Sequence, residues 1–113
     1  MVNTKKEFLS HLKKIQKKGK EITSAIIVLR GFMIADLKIV LNPNYSEREY
    51  DNFLKVLNVK YDNGYGGQEL YGYIWYNDGT WSERSEYDGS EWWSYKKCPS
   101  FQDKIIINLK RED

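Results

Sequence analysis

The sequence predicts an α+β fold, an antiparallel sheet of element order αββαβββ plus a final strand, with two helices packed on one side. Three observations predict it. Residues 68–97, QELYGYIWYNDGTWSERSEYDGSEWWSYKK, hold three runs of β-forming residues parted by turns carrying Asp78-Gly79 and Asp88-Gly89. Two capping-box spacings, Thr4 to Glu7 and Ser46 to Glu49, each precede apolar residues at helical spacing. Between them, residues 21–41 are mostly β-branched or aliphatic. At 113 residues the chain makes one domain, 1–113, able to bury about two thirds of the surface its unfolded form exposes.

Taken in order, the first helix starts with Thr4 as N-cap and Glu7 reaching back to it. Phe8, Leu12 and Ile15 repeat on one side with Leu9 beside them, and Gly19 is placed to end the helix in the left-handed conformation. Lys6, Lys13 and Lys17 lie opposite that apolar stripe, flanked by Lys14 and Lys18, so one side packs and the other is a lysine ridge. Two strands follow, about 22–29 and 33–41, either paired as a hairpin or continuous through a glycine bulge at Gly31. The second run does not alternate cleanly, and its faces stay unassigned.

Asn42-Pro43-Asn44 ends that run, and the second helix begins at Ser46 with Tyr45 and Tyr50 spaced as a hydrophobic staple. It continues through Phe53, Leu54 and Leu57 to Asn58. Asn63 to Gly67 is a glycine-rich connector without the lysine and hydroxyl residue of a phosphate-binding loop. In the meander, alternation puts Tyr71, Tyr73 and Trp75 on one face and Leu70, Ile74 and Tyr76 on the other. On the middle strand it sets Trp81, Glu83, Ser85 and Tyr87 against Ser82, Arg84 and Glu86, and Trp92 and Trp93 point opposite ways. Cys98-Pro99 ends the last strand of the meander, and residues 104–110 read as one more strand.

Net charge is only +2, yet the charges are segregated: residues 1–20 carry +6 and residues 62–91 carry −6. Such asymmetry offers two surfaces of opposite sign, each able to steer a different partner. One cysteine excludes an internal disulfide framework and suits a reducing compartment. The longest apolar run, Ala25 to Leu29, is too short to span a bilayer, and the N-terminus lacks the order of a signal peptide, so the expected location is cytoplasmic, with no membrane partner.

Chemistry-bearing residues are sparse. His11 and Cys98 are the sole histidine and cysteine, too few for a zinc site and not adjacent in sequence, so neither metal nor cofactor is expected. Glu83, Glu86 and Glu91 near tryptophans invite a glycoside-hydrolysis reading, but Glu83 and Glu86 are three apart and fall on opposite faces. The chain therefore reads as a binding protein rather than an enzyme. All four tryptophans fall inside the acidic meander, and aromatics rimmed by charge are enriched at the centres of interfaces. The alternative is a nucleic-acid-binding module that uses Lys6, Lys13, Lys14, Lys17 and Lys18 on phosphates. Exposed aromatics also allow a homodimer.

Residues 74–99, with Asp78-Gly79-Thr80-Trp81, Arg84, Glu86-Tyr87-Asp88-Gly89 and Glu91-Trp92-Trp93 closing at Pro99, resemble a segment found in small accessory proteins of phages and other mobile elements. Anti-CRISPR proteins are among them. The resemblance implies an inhibitor acting in the cytoplasm of a bacterial host, with a CRISPR effector nuclease as its partner. In that reading Asp78, Glu83, Glu86, Asp88 and Glu91 form an acidic edge that imitates phosphates and occupies a basic channel. Trp81 and Trp92 or Trp93 would be the apolar anchors.

Overall fold

The computed structural model describes residues 2–31, 35–61 and 67–99. Its elements are β1 (Val2–Asn3), α1 (Thr4–Gln16), β2 (Ile22–Leu29), β3 (Leu37–Leu41), α2 (Glu47–Leu57), β4 (Lys60–Tyr61), β5 (Leu70–Tyr76), β6 (Trp81–Tyr87) and β7 (Ser90–Lys96). Five strands form one antiparallel sheet in the order β3-β2-β5-β6-β7. The predicted α+β class holds and the predicted elements occur in their expected order, but two short strands that the sequence does not predict, β1 and β4, pair as a second, two-stranded sheet. The strand expected at 104–110 lies outside the described residues, as does the Asn63 to Gly67 connector apart from Gly67.

Helix α1 begins one residue earlier than its spacing predicts. Asn3, not Thr4, is the N-cap, its Oδ1 accepting the Lys6 amide at 3.0 Å. Thr4 is drawn into the helix because its own amide donates to the Val59 carbonyl at 2.8 Å. Asn3 also donates to the Asn58 side chain at 2.9 Å, and Val2–Asn3 pairs with Lys60–Tyr61, so the start of α1 is tied to the end of α2. Glu7 is consequently turned away from the capping role, toward Tyr61. At the other end Gly19 sits at φ +79, the left-handed residue the sequence predicts.

The second capping box forms as spaced, with Ser46 and Glu49 bonding reciprocally at 3.1 and 3.2 Å and the Tyr45 and Tyr50 rings stacked at 5.7 Å. Strands β2 and β3 are a hairpin, which settles the open alternative; β3 starts at Leu37, later than expected, and its buried residues are Ile39 and Leu41. On β2 the register against β5 shifts between Ile22 and Ser24. That bulge lets Ile22 and Ala25 both face inward although they are three apart.

The two meander turns differ. Asp88 (φ 51) and Gly89 (φ 83) make the two-residue turn with both residues left-handed. The Asp78-Gly79 turn is wider than a two-residue hairpin: it spans Asn77 to Thr80, only Gly79 is left-handed, and the Tyr76 amide donates to the Thr80 carbonyl.

Both helices cover one face of the sheet. Phe8, Leu12 and Ile15 of α1 and Phe53 and Leu57 of α2 join Ala25, Ile27, Ile39, Leu70 and Ile74 in a single core, with Phe8 edge-on to Phe53 at 5.4 Å. Burying side chains of this size stabilises by roughly 1.5–3 kcal/mol each. Gly72 serves packing: a Cβ there would stand 2.5 Å from the Ile26 carbonyl and 3.2 Å from the Trp93 indole, so its absence lets Trp93 lie across β5.

Candidate functional site

The helix-free face of the sheet is where the large side chains reach solvent. Strand alternation, fixed by the two hairpins, sets Val40, Ile26, Tyr73 and Glu83 side by side across four strands. The next row holds Ser24, Trp75, Trp81 and Lys96. Tyr73 and Trp75 stack at 5.7 Å, and Tyr73 is 47% exposed while Trp92, on the same face of β7, is 43% exposed. An apolar notch of about 290 Å³ opens beside them, bounded by Ile26, Val40, Pro43 and Trp75. The face is not acidic: Lys38 and Lys96 lie on it with Glu83, and the Arg30 guanidinium sits over the Tyr71 ring.

The predicted site residues divide accordingly. Trp81, Glu83 and Trp92 share this face. Glu86 is exposed on the opposite side of β6, and Asp88 is exposed in the second turn. Asp78 lies at the other end of the meander, about 20 Å away by strand rise, and is already paired with Lys20, which together with Thr80 pulls its carboxyl down to about 2. Two residues must be withdrawn from the surface set. Glu91 and Trp93 are 5% and 7% exposed because their alternation turns them toward the helices. The acidic side chains therefore do not form one continuous edge.

Glu91 instead closes a buried polar cluster. Its carboxylate accepts the Arg84 Nε at 3.2 Å and the Leu70 and Glu69 amides at 3.2 and 3.0 Å. Arg84 Nη2 lies 3.0 Å from Glu7 and donates to the Tyr61 hydroxyl, which in turn donates to Glu7. The guanidinium lies over both the Tyr61 and Trp93 rings, 5.6 and 5.3 Å from their centroids. Burial, reinforced by the bond to Glu7, holds the Tyr61 hydroxyl protonated well beyond its ordinary range. No spacing along the sequence signals this cluster, because β1 and β4 bring its members together.

Beside it, Ser82 Oγ bonds both His11 Nε2 at 2.7 Å and the Tyr76 hydroxyl at 2.6 Å. Burial first, then the charges of Lys14 and Arg84, lowers His11 to about 4, so the ring is neutral near pH 7. A serine bonded to a neutral histidine has the pairing of a nucleophile and its base, but Ser82 is wholly buried beneath α1, out of reach of any substrate. Among the described residues no group of three or more His, Cys, Asp or Glu could hold a metal ion.

The five lysines of the alternative site, Lys6, Lys13, Lys14, Lys17 and Lys18, are all exposed, with Lys18 over the Tyr95 ring. Lys6 and Lys14 also border a groove between α1 and β7, whose other wall holds Trp92 and Trp93. Sequence reading sees no aromatic on the lysine side, since β7 reaches it only through the fold. Among the described residues no helix is long and apolar enough to cross a membrane. Comparison with protein-family models, with curated proteins and with solved structures gives no significant match.

Proposed function

We propose that this chain is a non-enzymatic binding protein whose sheet face opposite the helices, centred on Tyr73, Trp75 and Trp81 and without cover among the described residues, docks a protein partner. The observation that carries the proposal is that face: Ile26, Val40, Tyr73, Trp75 and Trp92 are exposed together on the side the helices leave bare. Contiguous apolar surface of this kind marks interaction sites. Aliphatic Ile26 and Val40 beside the aromatics, with a notch the size of a side chain, favour a protein over a stacked sugar. Ser82 itself is wholly buried on its bond to His11, so this pair offers no exposed nucleophile.

In the form that the sequence resemblance implies, the protein works in the cytoplasm of a bacterial host as an inhibitor that covers the nucleic-acid site of a CRISPR effector. Docking then rests on aromatic anchors, with Glu83, Glu86 and Asp88 contributing steering rather than a phosphate-like edge. The test is capture from nuclease-treated bacterial lysate by the tagged protein and by its Tyr73→Ala/Trp75→Ala variant, followed by cleavage assays with the effector recovered. A protein retained by the parent and released by the variant, with effector cleavage blocked, is the expected result. Equal retention by both, at equal thermal stability, overturns the reading. Self-association through the same face would show as a doubled mass for the parent alone in light scattering, and would replace the external partner with a second copy.

A further inference from the structure

Strand β3 is an outer strand of the five-stranded sheet, and on its outward side it has no neighbour among the described residues. A strand so placed presents a row of backbone N–H and C=O groups that can bond only water or a further strand. A groove of about 280 Å³ follows that side. Its floor is the run from Lys38 to Asn42, consecutive residues that alternate between the two faces of the sheet, so the groove runs along the strand edge rather than across a face. Its wall is one stripe of α2, with Asn52, Phe53 and Val56 at helical spacing. Val56 is 47% exposed there. On the other side of the same edge lies the notch bounded by Ile26, Val40, Pro43 and Trp75, and Val40 and Leu41 line both recesses.

We infer that the partner protein docks by adding a strand to β3: an extended segment whose apolar side chains alternate between the α2 groove and the notch, with an acidic one opposite Lys38. This inference rests on the protein-docking reading above and names the segment that the site takes. Main-chain bonds give such a complex its affinity, and recesses for alternate side chains give it specificity. Every pair in this sheet is antiparallel, which sets the direction of the added strand. One strand spacing beyond β3, about 4.8 Å, residues opposite Ile39 and Leu41 turn toward Phe53 and Val56, and the residue opposite Val40 turns toward Pro43 and Trp75. Lys38 shares the face of Val40, is exposed, and has no ion-pair partner among the described residues. A lysine on a free edge discourages pairing with uncharged apolar strands, and a carboxylate directly across from it is favoured.

The experiment titrates the full chain with a fluorescein-labelled peptide, SVIVEVS, whose isoleucine falls opposite Val40 and whose glutamate falls opposite Lys38 in antiparallel register. Two further peptides carry N-methyl groups on alternate amides, one set turned toward β3 and the other toward solvent. Saturable binding of the parent peptide is expected, with a loss of about tenfold or more for one methylated isomer and little change for the other. Val56→Glu should weaken binding by a similar factor. Lys38→Glu should weaken it about threefold and recover when lysine replaces the glutamate of the peptide. Trp92→Ala, on the far strand of the sheet, should leave it unchanged. Val56, Lys38 and Trp92 are exposed, so matched thermal melts show that these variants remain folded. Absence of saturable binding, or equal loss for the two methylated isomers, overturns strand addition. A lysate partner released by Tyr73→Ala/Trp75→Ala but held by Val56→Glu also overturns it, while leaving the sheet-face reading intact. A doubled mass of the chain alone that Val56→Glu abolishes makes the added strand a second copy and overturns the external partner at this edge.

Discussion

Each face of the sheet carries an exception to the usual division of residue types. Beneath the helices an arginine and a glutamate are buried, while on the bare side tyrosine and tryptophan stand in solvent. Both faces are built by the same strands with the same alternation. What differs is whether partners are waiting: Arg84 enters the interior because Glu7, Tyr61 and Glu91 arrive there from α1, β4 and β7. The open face has no such cover among the described residues. Register, rather than residue class, decides burial here, and an exposed aromatic row then becomes informative about binding.

The strongest way to break that comparison is to remove the charge at the centre of the covered face. Arg84→Ala leaves Glu91 buried and unpaired, and should cost about 3–5 kcal/mol in urea unfolding. Adding Glu91→Leu to Arg84→Met should recover part of the loss, because the cost lies in the uncompensated charge rather than in the missing contact. A single substitution costing under about 1 kcal/mol would mean that the cluster is wet and the exception only apparent.

Adjacent tryptophans sharpen the contrast. Trp93→Ala should destabilise by about 3–5 kcal/mol, since it empties the space over Gly72 and removes the ring that the Arg84 guanidinium lies over. Trp92→Ala, one residue earlier and on the open face, should cost roughly 1 kcal/mol or less. The pair is measured under one set of conditions, and equal losses would place the open face in a packed interior.

Much of this plan was legible in the chain. The Ser46 capping box, the left-handed Gly19, the Asp88-Gly89 turn and the facing of every meander strand follow from local rules, and the structure keeps them. What escaped is long-range. Tyr61 and Glu7 are 54 positions apart and His11 and Ser82 are 71 apart, and no periodicity encodes their meeting. The Thr4 cap failed for the same reason, since Val59 claims its amide. Glu91 reads as part of an acidic edge and Trp93 as a possible anchor because composition marks a region as aromatic and acidic without saying which side of a strand the helices will cover.

His11 offers the smallest and most specific test, because it is the covered face's titratable seat. Its folded pKa of about 4 lies below the ordinary value of 6.5, lowered by burial and by Lys14 and Arg84. The unfolded chain therefore takes up the proton first on acidification. The stability this histidine contributes is complete above about pH 6.5 and is lost as pH falls toward 4. Because the ring is only partly buried, the expected loss between pH 7 and pH 5 is about 1 kcal/mol. His11→Gln should flatten that segment of the curve. Asp78, held down to about 2 by Lys20 and Thr80, titrates below the window and leaves it undisturbed. Tyr73→Ala, on the open face, should keep the full slope of the parent. If His11→Gln keeps it as well, the pH dependence belongs to other groups, and the polar seat under α1 is open to water.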